Sequence, residues 1–221
     1  MRHFDELLEQ LRNKLLEMSG LVEFSIRESV KSLTERDSLK AKAVLKRESE
    51  INQLELDIDE IATTLLALEQ PVATDLRFIT VAGKINNNLE RIGDLAVNIA
   101  ERSESLLSHA RFPVRADIVR LADLAESMVE RSLDAFVRKD AEAARRVLVS
   151  DDAVDDLRDS IYNELISYMK KNPAAVQQCV DLIFAARSLE RMADHSMNIA
   201  EGVLFMVEGI DVRHQVRVQV N

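Results

Sequence analysis

Glu90, Asp94, Asn98 and Glu101 follow one another at steps of four, four and three residues. On an α-helix those steps place the four side chains within an arc of about 80°. Glu190, Asp194, Asn198 and Glu201 repeat the pattern one hundred residues later. Like charges four residues apart destabilise a helix by a few tenths of a kcal/mol, so a stripe made twice asks for a reason. Two upstream segments offer counterparts. Glu48, Asn52, Glu55 and Asp59 share one helical face, as do Asp151 and Asp155, with Asp152, Asp156 and Asp159 close by. Helices joined by a short turn pack antiparallel, so in each half the two stripes converge. Converging carboxylates take up protons, recruit Arg or Lys, or hold a cation. Oxygen-only sites suit hard ions such as Mg²⁺, Ca²⁺ or Mn²⁺, and Fe³⁺ in a bridged cluster. The expected metal ligands are therefore Glu48, Asn52, Glu90, Asp94, Asn98, Glu101, Asp151, Asp155, Glu190, Asp194, Asn198 and Glu201.

The plainer alternative is a solvated helix face whose acids pair with Arg91 and Arg191. Asn98 and Asn198 also suit buried polar positions that set helix register. His195, next to Asp194, is a candidate nitrogen ligand, although a solvated or capping histidine is the more ordinary role. Other chemistries fall away. Glu-x-x-His, the signature of a di-iron bundle, is absent; the nearest pattern is Asp211-x-x-His214. The five glycines are too scattered for a phosphate-binding loop, and no serine or cysteine nucleophile motif occurs. Cys179 is the one cysteine, which excludes an internal disulfide framework, and its apolar neighbours mark it as a buried thiol.

The elements that must carry these stripes are helices. Five glycines and three prolines leave little material for turns, and aromatics make up only 4%; a β-sandwich or barrel needs more of both. Apolar residues recur at steps of three and four. Phe4, Leu7, Leu11, Leu15, Met18, Val22, Ser25, Ser29 and Leu33 form the first stripe. Ile51, Leu54, Ile58, Ile61, Leu65 and Leu68 form the second, and Leu76, Ile79, Leu89, Ile92, Ala96 and Ile99 belong to the third. A fourth helix begins with Ile118, Leu121, Ala125 and Met128, and a fifth carries Val154, Leu157, Ile161, Leu165 and Tyr168. A sixth starts near Pro173 and runs to about Val207. Asp37 or Ser38 is the expected N-cap of the second helix. Gly83, Gly93 and Gly202, inside helical patterns, are expected at close helix contacts, and Met192, Met197 and Met206 as core or interface fillers.

The repeat extends beyond the stripes. Residues 89–101 and 189–201 agree at eight of thirteen positions. Glu48, Ile51, Asn52, Leu54 and Ile58 match Asp151, Val154, Asp155, Leu157 and Ile161 at an offset of 103, and Pro71 stands 102 residues before Pro173. The expected architecture is all-α, six long helices in two pseudo-symmetric three-helix bundles, residues 1–110 and 111–208. Pro113 marks the junction, and 209–221 is a loosely ordered tail or an edge docked on a neighbour. The net charge of −10 makes nucleic acid a poor partner and favours cations or basic surfaces. Without an apolar run long enough for a spanning helix or a visible signal peptide, a cytosolic chain is expected.

The combination of Gln70-Pro71-Val72-Ala73-Thr74-Asp75-Leu76-Arg77, Leu89-Glu90-Arg91-Ile92-Gly93-Asp94 with Asn98-Ile99-Ala100-Glu101, and Leu189-Glu190-Arg191-Met192-Ala193-Asp194-His195 with Asn198-Ile199-Ala200-Glu201 resembles the PhoU family. The resemblance runs from His3 to about Phe205. It implies a cytoplasmic, often dimeric, non-catalytic regulator of phosphate uptake and of the phosphate-starvation response. Such a protein would be an adaptor between the ATPase of a phosphate ABC transporter and a membrane sensor histidine kinase, reaching the membrane only through those partners. It also implies iron or zinc clusters on E/D-x-x-x-D motifs, which map to Glu90/Asp94, Glu190/Asp194 and Asp151/Asp155. In the first half Asn52 follows Glu48 where an acid is expected, leaving that site one charge short. A metal-dependent enzyme or a metal-storage protein on a helical bundle is the alternative, and a plain helical scaffold a third reading. The sequence presents no evident Arg-rich phosphate pocket.

Overall fold

The structure, a computed structural model, describes residues 2–109 and 116–212. Six long helices carry it: α1 (Arg2–Glu35), α2 (Ser38–Leu68), α3 (Ala73–Leu107), α4 (Ala116–Arg138), α6 (Asp151–Lys171) and α7 (Val176–Glu208). The seventh, α5 (Ala141–Leu148), is short, and a single 3₁₀ turn at Pro173–Ala175 leads into α7. α1, α2 and α3 pack together; α4 and α6, with α5, pack on α7. The all-α, two-bundle expectation holds.

α5 is an element that periodicity did not separate from its neighbours. Lys139 adopts a positive φ of 53°, and the Asp140 side chain then accepts from the Ala143 amide at 2.9 Å, starting a new helix. Ala144, Val147 and Leu148 bury its inner face. The N-cap of α2 is Asp37, which accepts from the Leu39 amide at 2.8 Å. Arg36, at φ 58°, turns its guanidinium back onto the end of α3, donating to the Leu106 carbonyl at 2.9 Å and that of His109 at 3.1 Å. It thereby occupies carbonyls that a helix end leaves unpaired.

The stripes read from sequence form the core. Leu11, Leu15, Met18, Val22, Ile26 and Leu33 of α1 meet Ile51, Ile58 and Leu65 of α2 and Ile79, Leu89, Ile92 and Ile99 of α3, all buried. Ser29 and Ser132, at equivalent places in the two halves, are buried and donate to carbonyls three residues back. Cys179 is buried. Met192 and Met206 are core residues and Met197 packs against that core.

α3 and α7 lie antiparallel along the seam between the bundles, so that Ser105 meets Asp181 at one end and Arg77 reaches the Met206 carbonyl at the other. Two glycines permit close approach. A Cβ on Gly93 would stand 3.2 Å from Ile51 Cδ1, and one on Gly202 would stand 3.3 Å from Val81 Cγ1. Gly83 corrects the expectation: nothing lies within 4 Å of where its Cβ would be. Pro113 and residues 213–221 of the tail lie outside the described residues; Asp211 and Val212 form no helix or strand.

Candidate metal centre

In the second half the acidic faces of α6 and α7 meet. Asp194 feels Glu190 on its own helix and Asp151 and Asp155 across from it. Its carboxyl is pushed up to about 6, first by burial, then by the charge of Glu190, Asp151 and Asp155, with Arg158 working the other way. Four of the expected ligands thus act on one another.

Arg158 joins them. Its Nη1 stands 2.7 Å from Asp155 Oδ1 and 2.7 Å from Glu190 Oε1, and its Nη2 stands 2.9 Å from Asp159 Oδ1. Burial opposes the guanidinium charge, and the carboxylates of Asp159, Asp155 and Glu190 more than offset that, raising its pKa. Of the three ways to stabilise converging carboxylates, this conformation uses a counter-ion from α6.

The first half is built differently. Glu90 has its carboxyl raised, chiefly by burial and next by Asp94, while Arg91 lowers it and Glu55 raises it. Arg91 lies along its own helix, 3.3 Å from Glu90 Oε2 and 3.5 Å from Asp94 Oδ2. Glu90 Oε2 is buried without a hydrogen bond. The α2 charge that bears on Glu90 is Glu55, one helical turn beyond Asn52. Asn52 is exposed, and neither it nor Glu48 is among the residues acting on Glu90. Glu55 restores the charge that Asn52 lacks.

The C-terminal ends of the two stripes lead elsewhere. Asn198 and Glu201 line a cleft of about 620 Å³ between α3 and α7, together with Asp59, Lys84 and Asn88. Asn98 lines a second cleft along the same seam. Glu101 is exposed. His195 turns to α3, its Nδ1 2.9 Å from Asn88 Oδ1, which Asn198 Nδ2 also approaches at 3.4 Å. Burial first, and then Arg191 and Arg91, lower the pKa of His195. The ring thus bridges α7 to α3 through Asn88.

Sequence reasoning missed three side chains that shape these sites. Arg158, one turn from Asp155, reads as part of a solvated face. Asn86, fully buried, donates to the Glu55 carbonyl at 2.9 Å and to Asp59 Oδ1 at 2.9 Å, fixing α3 on α2. Asp181 is fully buried and accepts from Ser105 Oγ at 2.9 Å, with Arg102 Nη1 3.6 Å from its other oxygen.

As a donor set, Asp151, Asp155, Glu190 and Asp194 fit a hard cation in charge and chemistry. Their arrangement does not present a ready cage: among the described residues no three His, Cys, Asp or Glu side chains stand as one ion would require. Arg158 lies between the donors instead.

The PhoU domain matches residues 15–103 and again 118–203, once on each half. The chain belongs to the PhoU family. The phosphate-specific transport system accessory protein PhoU homolog of Pseudomonas aeruginosa is 40% identical over 214 residues, 96% of this chain and 88% of that protein. The PhoU accessory protein of Escherichia coli K12 is 33% identical over 211 residues, with 96% and 88% covered. The crystal structure of PhoU from P. aeruginosa superposes with a TM-score of 0.91 at 39% identity, covering 94% of this chain and 100% of that one. The phosphate transport system regulatory protein PhoU from Streptococcus pneumoniae gives 0.87 at 26% identity over 95% and 99%. Among the described residues no helix is long and apolar enough to cross a membrane.

Proposed function

We propose that this chain is a non-catalytic regulator of phosphate uptake and of the phosphate-starvation response. It acts in the cytoplasm as a dimeric adaptor between the ATPase of a phosphate ABC transporter and a sensor histidine kinase. The observation that carries the reading is coverage: relatives named as phosphate transport accessory proteins align with 96% of the chain, both halves included. Two clefts along the seam are lined by amides and charged groups. Deleting the gene is expected to raise phosphate-starvation gene expression in high phosphate; an unaltered response rejects the reading.

The acidic groups are the metal-binding part of this proposal. Asp151, Asp155, Glu190 and Asp194 would hold an ion in the second half, with iron or zinc the expected occupants and Mg or Mn the hard-ion alternatives. Glu90 and Asp94, with Glu55, would do so in the first. A bound cation supplies the positive charge that these carboxylates otherwise draw from Arg158 and Arg91. The Glu190→Ala, Asp194→Ala double variant is expected to carry less metal by elemental analysis. Equal metal content in variant and wild type removes the assignment.

A further inference from the structure

Along the seam, on the stretch where Asn98 and Arg102 of α3 face Phe184, Arg187, Ser188 and Arg191 of α7, the helices enclose a cleft of about 220 Å³. Three of its six named side chains are arginines, in a chain with a net charge of −10. Arg102 is held in place from two sides. Its guanidinium lies 4.9 Å over the Phe184 ring and 3.6 Å from the buried carboxylate of Asp181. Arg187 and Arg191 form no ion pair among the described residues.

The release of Arg191 follows from the difference between the halves. Arg91, its counterpart, is held by Glu90 and Asp94. Glu190 is instead held by Arg158, at 2.7 Å, and Arg191 stays free. The repeat also shows that helix packing does not require arginines here. One hundred residues away, the sister cleft carries Asn87 for Arg187, Asn88 for Ser188, Lys84 for Phe184 and Gly202 for Arg102. The same turns are helical there with amides and a glycine. The sister cleft is lined by Asp59, Glu201 and Asp211, so one repeat position has become acidic and the other basic.

We infer that the cleft of Asn98, Arg102, Arg187, Ser188 and Arg191 is a binding site for a small dianionic oxyanion of the phosphate type. Guanidinium forks match tetrahedral oxyanions bidentately, and the Ser188 hydroxyl and Asn98 amide add neutral donors. The Asp181 carboxylate, buried behind Arg102, orients that fork. The site deepens the regulatory reading and rests on it only for the choice of phosphate as probe. Binding is measured on purified chain and regulation on the deletion strain, so either can fail alone.

The test is calorimetric titration of the full chain, treated with chelator, with inorganic phosphate at low ionic strength. One saturable site per chain is expected. Arg187→Gln with Arg191→Gln should weaken it by at least about tenfold, the loss of a charge-assisted contact. Its unfolding midpoint should not move, since neither arginine forms an ion pair. Lys84→Gln in the sister cleft should leave binding unchanged. The two single variants serve if the double variant does not fold. A wild-type chain without saturable heat, or arginine variants that bind as tightly as wild type, overturns the site. Glycerol phosphate is the second arm: binding weaker than that of the free ion assigns inorganic phosphate, and equal or tighter binding assigns a phosphate ester.

Discussion

Arg158 in the second half stands where Glu55 stands in the first, 103 residues earlier. Both face the acidic stripe of the third helix of their bundle: Arg158 touches Glu190 at 2.7 Å, and Glu55 raises the pKa of Glu90. One position of the duplicated unit thus carries opposite charges in its two copies. In the second half the carboxylates have a built-in counter-ion. In the first they have an additional acid and must share Arg91.

The counter-ion role predicts the outcome of Arg158→Gln. Without it, Asp155, Asp159 and Glu190 lose their shared partner. The variant should lose about 1–2 kcal/mol in chelator-treated protein, between the values for exposed and fully buried pairs. Added divalent cation should return part of that. Urea unfolding measures both, and an unmoved midpoint without cation rejects the role.

Glycine positions give opposite signs. Gly83→Ala meets open space and should stabilise by up to about 1 kcal/mol, the helix-propensity difference. Gly93→Val forces branched carbon against Ile51, already 3.2 Å from a bare Cβ, and should destabilise by about 1–3 kcal/mol. Thermal unfolding of the two variants checks the pair; shifts of the same sign would contradict the packing described.

A pH dependence arises where α1 meets α4. The carboxyl of Glu23 is raised by burial first and next by Glu130, with Asp134 and Glu126 adding to the effect and Arg27 opposing it. A carboxyl whose pKa is higher folded than unfolded binds its proton more tightly in the folded chain. Stability therefore falls as pH rises from its ordinary value of 4.5 through the raised value, then levels off. Glu23→Gln should remove the Glu23 share of that fall: equal to wild type at the acid end, more stable above the window. Unfolding midpoints across pH 4–7 at low salt test it, and a difference independent of pH would count against it.

The short helix α5 depends on its cap. Asp140→Ala removes the acceptor of the Ala143 amide and should cost about 1 kcal/mol. Asp140→Asn keeps an acceptor and should cost less. Chemical denaturation of the two variants compares them directly.

Long helices were legible because their aliphatic stripes hold phase over many turns, as from Leu11 to Leu33. α5 was not, because eight residues make only about two turns and Ala144, Val147 and Leu148 merge with the patterns on either side. Its start is signalled by Lys139 in a left-handed conformation that sequence rarely betrays without a glycine. The convergence of Glu190 and Asp194 with Asp151 and Asp155 was legible because each pair sits four apart on adjacent helices. Arg158 was hidden because a charge beside acids looks like any solvated face. The basic cleft was illegible for another reason: Arg102 comes from one repeat and Arg187 and Arg191 from the other. Only the antiparallel crossing of α3 and α7 joins them, and no local pattern encodes a crossing.

That crossing also limits how far the two copies can be taken apart. Val81 packs against Gly202, Asn88 bonds His195, Ser105 bonds Asp181, and Arg77 reaches the end of α7. α3 and α7 pack on each other as well as on the helices of their own halves, so the buried residues of both repeats join in one continuous core. The duplication has produced two copies that resemble separate domains in sequence but are interdependent in folding. A half expressed alone would expose the seam, and the whole chain should melt as one cooperative unit.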